Sequence, residues 1–267
     1  MTQPWKSLPT LVTGASAGLG AEFARELARR QCPLAITARR LDRLESLRLE
    51  LQKLGAPRVE VIVADLKEPG AAHGLKRTLE SLNFIPAGLV NNAGLGYYKF
   101  FADSPLSKVR EMVDVNITAL LELTHELLPL IKTHPRGLVL NVSSIASFVP
   151  LPHLATYSAS KAFVTNFSAA LSRELQGSNI LVHTLCPGPT ESEFMQVAAN
   201  DPSVSAPGRM TAEVVIKGCL CAIDKGRRLY ISGRKNYVLS LIPRILPLWV
   251  VSWLALHAKG ARPSARD

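Results

Sequence analysis

The sequence predicts a single α/β domain built on a parallel sheet of about seven strands with helices on both faces. Short apolar runs alternate with longer amphipathic segments along most of the chain, and a glycine-rich turn follows the first run. Several runs are apolar throughout, as in strands that are covered on both faces. Such alternation is typical of a parallel sheet, because each strand connects to the next through a helix. The expected strands are 8–13, 33–37, 59–64, 87–91, 137–142, 180–185 and 229–232.

Helical periodicity fills the intervals between these strands. After the second strand, leucines at spacings of three and four keep one helical face apolar; they are Leu41, Leu44, Leu47, Leu51 and Leu54. Residues 105–132 and 155–176 are also expected to be helical. Thr211 is a suitable N-cap and Gly226 a suitable stop for a later helix.

The composition fits one domain in a reducing compartment. A chain of 267 residues with 47% hydrophobic residues suffices for one large core. The N-terminus has no apolar run of the kind found in signal peptides, so a cytoplasmic protein is expected. The main domain is expected at 1–235 and a C-terminal extension at 236–267. The cysteines are too few and scattered for a disulfide framework, and their spacing is not that of a zinc or redox site; they are Cys32, Cys186, Cys219 and Cys221.

Positive charge is concentrated at the C-terminal end. The net charge is +10, and residues 225–267 hold nine Lys or Arg against one acid. The apolar run 237–260 lies within this region, which favours a membrane surface over nucleic acid as a partner; a solvated tail is the plain alternative. Pro243, Arg244 and Pro247 interrupt the run. We therefore expect peripheral contact with anionic lipid, or packing on the pocket or on a second subunit, and no transmembrane helix.

A glycine-rich turn, TGASAGLG, links the first strand to the first helix. Gly14, Gly18 and Gly20 let the backbone turn tightly and approach a phosphate closely, and the helix N-terminus offers free N–H groups to an anion. Ser16 and Leu19 belong to the same turn. The spacing G-x-x-x-G-x-G differs from the common G-x-G-x-x-G fingerprint. A nucleotide site is the favoured interpretation, and a structural turn is the alternative.

The end of the second strand indicates which nucleotide binds. An acid about 20 residues after the glycines would bind the ribose hydroxyl of NAD, whereas arginine suits the 2′-phosphate of NADP. In ITARR there is no acid, and Arg39 and Arg40 follow Gly20 by 19 and 20 residues. A guanidinium matches phosphate geometry, and Ser16 would add a hydrogen bond. NADP is the predicted cofactor, with two solvated arginines as the alternative.

A tyrosine and a lysine lie four residues apart in TYSASK, within an expected helix. At this spacing Tyr157 and Lys161 share one helical face. A cation beside a phenol favours the phenolate, so we expect Lys161 to lower the pKa of Tyr157. Such a phenol would exchange a proton with a substrate oxygen. For these two residues taken alone, a surface pair is the alternative.

Five motifs in this order resemble the short-chain dehydrogenase/reductase family. The resemblance covers about residues 8–235 and implies a Rossmann-like, doubly wound sheet and a nicotinamide cofactor. It also implies a homodimer or homotetramer formed through the helices at 105–132 and 155–176. The motifs are TGASAGLG at 13–20, NNAG at 91–94, VSS at 142–144, YSASK at 157–161 and PGPT at 187–190.

Carried onto this sequence, the resemblance implies a catalytic set of Asn116, Ser144, Tyr157 and Lys161. Ser144, thirteen residues before Tyr157, is preferred to its neighbour Ser143. Tyr157 would protonate the substrate oxygen, Ser144 would orient that oxygen, Lys161 would also hold the nicotinamide ribose, and Asn116 would seat a proton-relaying water. Further cofactor contacts are implied at Asp65, Leu66, Asn92, Ala93, Gly94, Pro187, Gly188 and Thr190.

The resemblance also implies a substrate pocket with an apolar wall, which suits a lipid-like, steroid-like or 3-oxoacyl ketone or aldehyde. Core packing explains many of the same residues, and the polar stretch 189–211 is expected to form a lid. The sequence thus predicts an NADPH-dependent carbonyl reductase, with an NADP-binding redox sensor or scaffold without turnover as the alternative. Besides Ser144, the implied wall residues are Leu95, Tyr97, His153, Phe194 and Met195.

Overall fold

Seven parallel strands form one sheet in the order β3-β2-β1-β4-β5-β6-β7. This computed structural model describes residues 7–191, 193–199 and 209–258, with the backbone alone for 195–197, 244 and 258. The order reverses between β1 and β4, which is where ligands bind in such sheets. The strands are β1 (Thr10–Thr13), β2 (Leu34–Ala38), β3 (Val59–Val63), β4 (Gly88–Asn91), β5 (Gly137–Val142), β6 (Ile180–Cys186) and β7 (Leu229–Ile231).

Helices connect the strands and cover both faces of the sheet, so the predicted fold class is confirmed. One core layer packs around Phe23 of α1, and another packs around Leu127 of α5 on the opposite face. The central strand β1 is buried along its whole length. The helices are α1 (Gly18–Arg29), α2 (Leu41–Lys53), α3 (Ala71–Ser81), α4 (Leu106–Val113), α5 (Ala119–Lys132), α6 (Ala155–Glu174), α7 (Phe194–Ala199), α8 (Ala212–Asp224), α9 (Arg234–Leu241) and α10 (Leu248–Ala258).

The helix expected over 105–132 contains an irregularity that its periodicity did not predict. A π-helical turn, Asp114–Thr118, separates α4 from α5. Single π turns inside α-helices occur frequently at functional sites. The other helix signals are confirmed: the Thr211 side chain accepts a hydrogen bond from the Val214 N–H, and Gly226 ends α8 with a positive φ of 67°.

The C-terminal segment forms two helices joined by a 3₁₀ turn, Ile242–Arg244. Helix α9 begins at Arg234 and crosses the predicted domain boundary after residue 235. Helix α10 has only eleven residues. Within the part of the chain that the structure describes, no helix combines the length and apolar character needed to cross a bilayer.

Candidate active site

The carboxyl ends of β1, β4, β5 and β6 meet at one edge of the sheet and bring most of the predicted site residues together. Parallel strands produce this arrangement, because four of the five motifs lie at the end of a strand of the same direction, whereas YSASK lies on α6. The glycine turn follows β1, the NNAG motif ends β4, the serine pair follows β5, and Pro187 follows β6. The strand order therefore explains why motifs far apart in sequence form one cleft.

Two glycines of the turn, Gly14 and Gly20, have no room for a side chain. Gly14 and Gly18 have positive φ values of 65° and 55°. A Cβ on Gly14 would lie 2.9 Å from the Cα of Ala93, and one on Gly20 would collide with the carbonyl of Gly14. A close backbone approach at the N-terminus of α1 is what a dinucleotide phosphate requires, so these residues fit the predicted cofactor. Leu19, in contrast, packs against the core layer that contains Phe23.

Thr13 and Asn92 hold this turn in place. The Thr13 hydroxyl accepts hydrogen bonds from the N–H groups of Asn92 and Ala93, each at 3.0 Å. The Asn92 side-chain amide donates to the carbonyl of Thr13 at 2.9 Å. Asn92 thus supports the glycine turn. The role of Thr13 was missed, since a single threonine at the end of a strand carries no distinctive sequence signal.

The two arginines after β2 differ in their surroundings. Arg40 donates to the Ser16 hydroxyl at 3.1 and 3.3 Å, as expected for a site that joins the second strand to the glycine turn. Arg39 is 56% exposed, and its nearest carboxylate is that of Glu111 at 4.0 Å. Glu193, next to α7, pairs with Arg40 at 3.3 Å and with Arg43 at 2.8 Å. No sequence motif predicts these ion pairs.

Asp65 and Leu66 lie just beyond the end of β3. The Asp65 carboxylate accepts a hydrogen bond from the Lys67 N–H at 3.2 Å and lies 3.6 Å from the Lys67 ammonium. Leu66 packs against the core layer that contains Leu127. Asp65 therefore lies at the edge of the sheet where an adenine is expected, whereas Leu66 is partly committed to the core.

Tyr157 and Lys161 lie together in the buried interior of the site. Their exposed fractions are 9% and 4%, and the ammonium is 5.8 Å from the centre of the phenol ring. Tyr157 is hydrogen-bonded to the Ser144 side chain. Lys161 donates to the carbonyl of Val142 at 2.9 Å, and a Cβ on Gly94 would lie 3.2 Å from its Nζ. The surface-pair alternative does not fit this burial.

Burial dominates the protonation of both groups. Loss of hydration raises the pKa of Tyr157 to about 12, and the hydrogen bond to Ser144 offsets part of that rise. Burial likewise lowers the pKa of Lys161 to about 8. The expectation that the lysine lowers the tyrosine pKa is therefore wrong for the protein's own groups, since the pKa is raised and burial is the largest cause. At neutral pH Tyr157 carries its proton and is a potential proton donor.

Asn116 lies in the π turn between α4 and α5 and is 1% exposed. Its carbonyl oxygen accepts from the Leu95 N–H at 2.7 Å, and its amide donates to the Leu95 carbonyl and the Ser160 hydroxyl, each at 2.9 Å. The side chain thus fastens the loop after NNAG to helix α6. The sequence placed Asn116 only through the family resemblance, because nothing in the periodicity of 105–132 indicates the π turn.

The structure distinguishes the two neighbouring serines. The Ser143 hydroxyl donates to the Lys161 carbonyl at 2.8 Å and lies 2.7 Å from the Thr165 hydroxyl, within the fold. The Ser144 hydroxyl accepts a hydrogen bond from the Ala146 N–H at 3.1 Å, and its side chain is hydrogen-bonded to Tyr157. Ser143 is thus committed to contacts within the fold, and the role of Ser144 toward the substrate stays a prediction.

Most of the predicted substrate wall packs around Tyr157. Leu95, Tyr97 and Phe194 contact the cluster that contains this tyrosine, and the Phe194 ring is 5.2 Å from the Tyr157 ring. The side chain of Met195 lies outside the described residues. His153 instead stacks on Tyr98, with 5.1 Å between ring centroids, and contacts Phe100. It therefore packs against the loop that follows the NNAG motif.

The loop after β6 depends on residues from beyond the family motifs. The Gly188 N–H donates to the Ser232 hydroxyl at 2.9 Å, and the Thr190 hydroxyl donates to the Gly188 carbonyl at 2.9 Å. A Cβ on Gly188 would collide with the Asn236 amide. The Pro187 carbonyl accepts from the Ile145 N–H at 3.0 Å. Sequence reasoning missed Ser232 and Asn236, which have no motif of their own.

Comparison with known sequences decides the family. The family profile described as short chain dehydrogenase matches residues 9–203, well over half of the chain. The chain belongs to the short-chain dehydrogenase family. It is accordingly an oxidoreductase of a family that uses nicotinamide cofactors, and the motif-based assignment is confirmed.

Individual relatives cover different shares of the chain. A very-long-chain 3-oxoacyl-CoA reductase from Laccaria bicolor is 38% identical over 179 residues, which are 66% of this chain and 52% of the relative. A sulfoacetaldehyde reductase from Chromohalobacter salexigens is 37% identical over 210 residues, or 76% of this chain and 82% of the relative. This short-chain dehydrogenase thus spans about half the length of the Laccaria protein.

A solved structure matches nearly the whole chain. It is a short-chain dehydrogenase from Sphingobium yanoikuyae in complex with NADPH, with a TM-score of 0.79 at 27% identity. The match covers 97% of this chain and 98% of the other. The C-terminal helices are therefore included in a likeness that extends beyond the family motifs.

Proposed function

We propose that this short-chain dehydrogenase is an NADPH-dependent reductase that converts an apolar ketone or aldehyde to the alcohol. The observation that carries the proposal is a buried phenol hydrogen-bonded to Ser144, beside Lys161, in a cleft that also contains the glycine turn. Relatives named as reductases of carbonyl compounds support this direction. The buried polar set gives no support to a sensor or scaffold without turnover.

The chain's own residues would handle the substrate oxygen and its proton. When bound, the nicotinamide supplies the hydride that reduces the carbonyl carbon. Ser144 would donate a hydrogen bond to the carbonyl oxygen and orient it. Tyr157 would transfer its phenolic proton to that oxygen and become a phenolate, which the adjacent Lys161 ammonium would stabilise. Asn116 would keep the loop at Leu95 in position, and we retain its role in a water relay as a proposal.

The preference for NADPH rests on the arginines after β2. Arg40 already approaches Ser16 of the glycine turn, and Arg39 is exposed at the same strand end. Both guanidinium groups would bind the 2′-phosphate. A carboxylate at the same position would repel that phosphate. The NADPH complex of the Sphingobium structure supports this cofactor.

The substrate class rests on the apolar side chains around Tyr157. Leu95, Tyr97 and Phe194 offer aromatic and aliphatic surface next to the phenol, which suits a lipid-like, steroid-like or 3-oxoacyl carbonyl compound. We also propose that the enzyme is cytoplasmic, with or without membrane contact, and forms a homodimer or homotetramer through α5 and α6.

A carbonyl screen tests the proposal directly. NADPH oxidation is followed with ketones and aldehydes of graded chain length, and we expect turnover that rises with apolar chain length. Tyr157→Phe removes the proton donor but keeps the ring, so turnover is expected to fall about 10²–10⁴-fold while NADPH binding is retained. A folded Tyr157→Phe protein with wild-type turnover would refute the assignment of Tyr157, and a wild-type protein inert toward all carbonyl compounds would refute the function.

A further inference from the structure

Exposed apolar side chains are concentrated near the C-terminus. Of the eighteen large hydrophobic residues that are exposed in the described part of the chain, nine lie between residues 237 and 254. We call these nine the C-terminal apolar surface; they are Tyr237, Val238, Leu239, Ile245, Leu246, Leu248, Trp249, Trp253 and Leu254. Exposed apolar side chains concentrated in this way indicate a surface that binds a partner.

Helix α10 presents an ordered aromatic ridge to the outside. Trp249 and Trp253, four residues apart, are 74% and 57% exposed, whereas Val251 is only 5% exposed. The His257 ring contacts that of Trp253 at 4.3 Å between centroids, which extends the ridge by one more turn. The helix is therefore held against the protein on one side while its aromatic rings point outward.

The charged residues in the C-terminal sequence have one sign. Residues 225–266 contain nine Lys or Arg and neither Asp nor Glu. Arg234 and Lys235, at the start of α9, are both exposed. A second copy that used this surface symmetrically would bring two acid-free cationic segments together, which is electrostatically unfavourable. A surface with negative charge and an apolar interior complements it far better.

We infer that the C-terminal apolar surface docks the enzyme on an anionic lipid bilayer. Tryptophan rings are suited to the headgroup level, and the aliphatic side chains around them would enter the acyl boundary without spanning it. The nearby cations would pair with lipid phosphates, each increasing partition about fivefold. The occupant we propose is thus a membrane surface.

Docking in this position would bring the active-site cleft close to the lipid. Helix α9 packs against the 3₁₀ helix Ile145–Phe148, which follows Ser144. Asn236 of α9 also fills the space beside Gly188, in the loop after β6. An apolar carbonyl compound dissolved in the bilayer would therefore enter the cleft from the membrane; this last step rests on the proposed function.

Vesicle flotation of the full chain tests the docking without reference to activity. The probes are vesicles of equimolar phosphatidylcholine and phosphatidylglycerol, and vesicles of phosphatidylcholine alone. At low salt we expect at least about tenfold stronger partition into the anionic vesicles, and a loss of that advantage at high salt. The double variant Trp249→Ser/Trp253→Ser should float at least about tenfold less. A matched control, Leu49→Ser/Val214→Ser, removes two exposed apolar side chains elsewhere and should float like the wild type.

The outcomes separate the possible occupants. Absence of flotation by the wild type, or equal flotation by the tryptophan variant, overturns the inference. If the wild type stays off the vesicles and the tryptophan variant changes from oligomer to monomer in sedimentation, the surface binds a second copy. An activity arm compares a long-chain ketone carried in vesicles with a short, water-soluble ketone. The tryptophan variant should lose activity only on the ketone carried in vesicles. If the wild type reduces neither ketone, the result counts against the proposed function and leaves the flotation result intact.

Discussion

Two polar clusters in this protein handle charge in opposite environments. The predicted catalytic cluster of Asn116, Tyr157 and Lys161 is less than a tenth exposed. The predicted cofactor cluster of Arg39 and Arg40 is 56% and 42% exposed. In the buried cluster, desolvation raises the pKa of Tyr157 to about 12 and lowers that of Lys161 to about 8. In the exposed cluster water and salt screen each interaction.

The loss of one hydrogen-bonding atom has a larger effect in the buried cluster than in the exposed one. A hydrogen bond lost there leaves a partner unsatisfied, which is costly in a region of low dielectric constant. An ion pair lost at the exposed mouth is largely replaced by water. Substitutions in the two clusters should therefore differ in size and in salt dependence, and the next three predictions test this in decreasing order of effect.

The largest effect is expected from Ser144→Ala. The variant removes the hydroxyl that is hydrogen-bonded to Tyr157 and would orient the substrate oxygen. The value of kcat should therefore fall about 10²–10³-fold, and NADPH affinity should change little. Steady-state kinetics and cofactor titration measure the two quantities.

Ser143→Ala is the matched control for this prediction. It deletes the neighbouring hydroxyl, which donates to the Lys161 carbonyl within the fold. We expect it to lower the free energy of unfolding by about 1 kcal/mol, measured by denaturant titration, and to affect kcat much less than Ser144→Ala. Equal losses of kcat in both variants would remove the distinction between a substrate-facing serine and a structural one.

The sequence predicted the buried cluster better in membership than in physical behaviour. The YSASK motif identified Tyr157 and Lys161, and the family resemblance identified Asn116, although all three lie on helical segments and none follows a strand end. The π turn that carries Asn116 and the hydroxyl of Thr13 were not predictable, since neither alters a hydrophobic period or forms a motif. The direction of the Tyr157 pKa was wrong because the sequence shows the nearby cation but not the degree of burial.

For the C-terminal region, the sequence predicted chemical character but not packing contacts. Its composition indicated apolar and basic character, and the structure leaves nine large hydrophobic side chains between residues 237 and 254 exposed. The contact of Asn236 with Gly188 was not predictable, because it joins residues that lie in different elements and share no motif.

A smaller effect is expected at the exposed arginines. Arg40→Gln removes the guanidinium that approaches Ser16 and should weaken NADPH binding about ten- to hundredfold, as expected for a charge-assisted hydrogen bond. NADH binding should change little, because it lacks the 2′-phosphate. Arg39→Asp should weaken NADPH binding at least as much and tolerate NADH.

Arg48→Gln serves as the control for these arginine variants. Arg48 is similarly exposed but pairs with Glu45 within α2, so its loss should leave both affinities unchanged. Fluorescence titration at two ionic strengths provides the measurement. Equal affinity of the wild type for NADPH and NADH would contradict the assignment of both arginines.

The smallest effect is expected from Glu193→Gln. The Glu193 carboxylate contacts Arg40 at 3.3 Å and Arg43 at 2.8 Å, and these arginines hold its pKa below the ordinary value. A phosphate that binds Arg40 must compete with this carboxylate, so removal of its charge should strengthen NADPH binding. The pair is about half exposed, which limits the gain to about two- to fivefold, and high salt should abolish the gain. Glu191→Gln, in the same loop and without a comparable ion pair among the described residues, should leave NADPH affinity unchanged. Weaker NADPH binding by Glu193→Gln would show instead that the ion pair closes the cleft over the cofactor and helps to hold it.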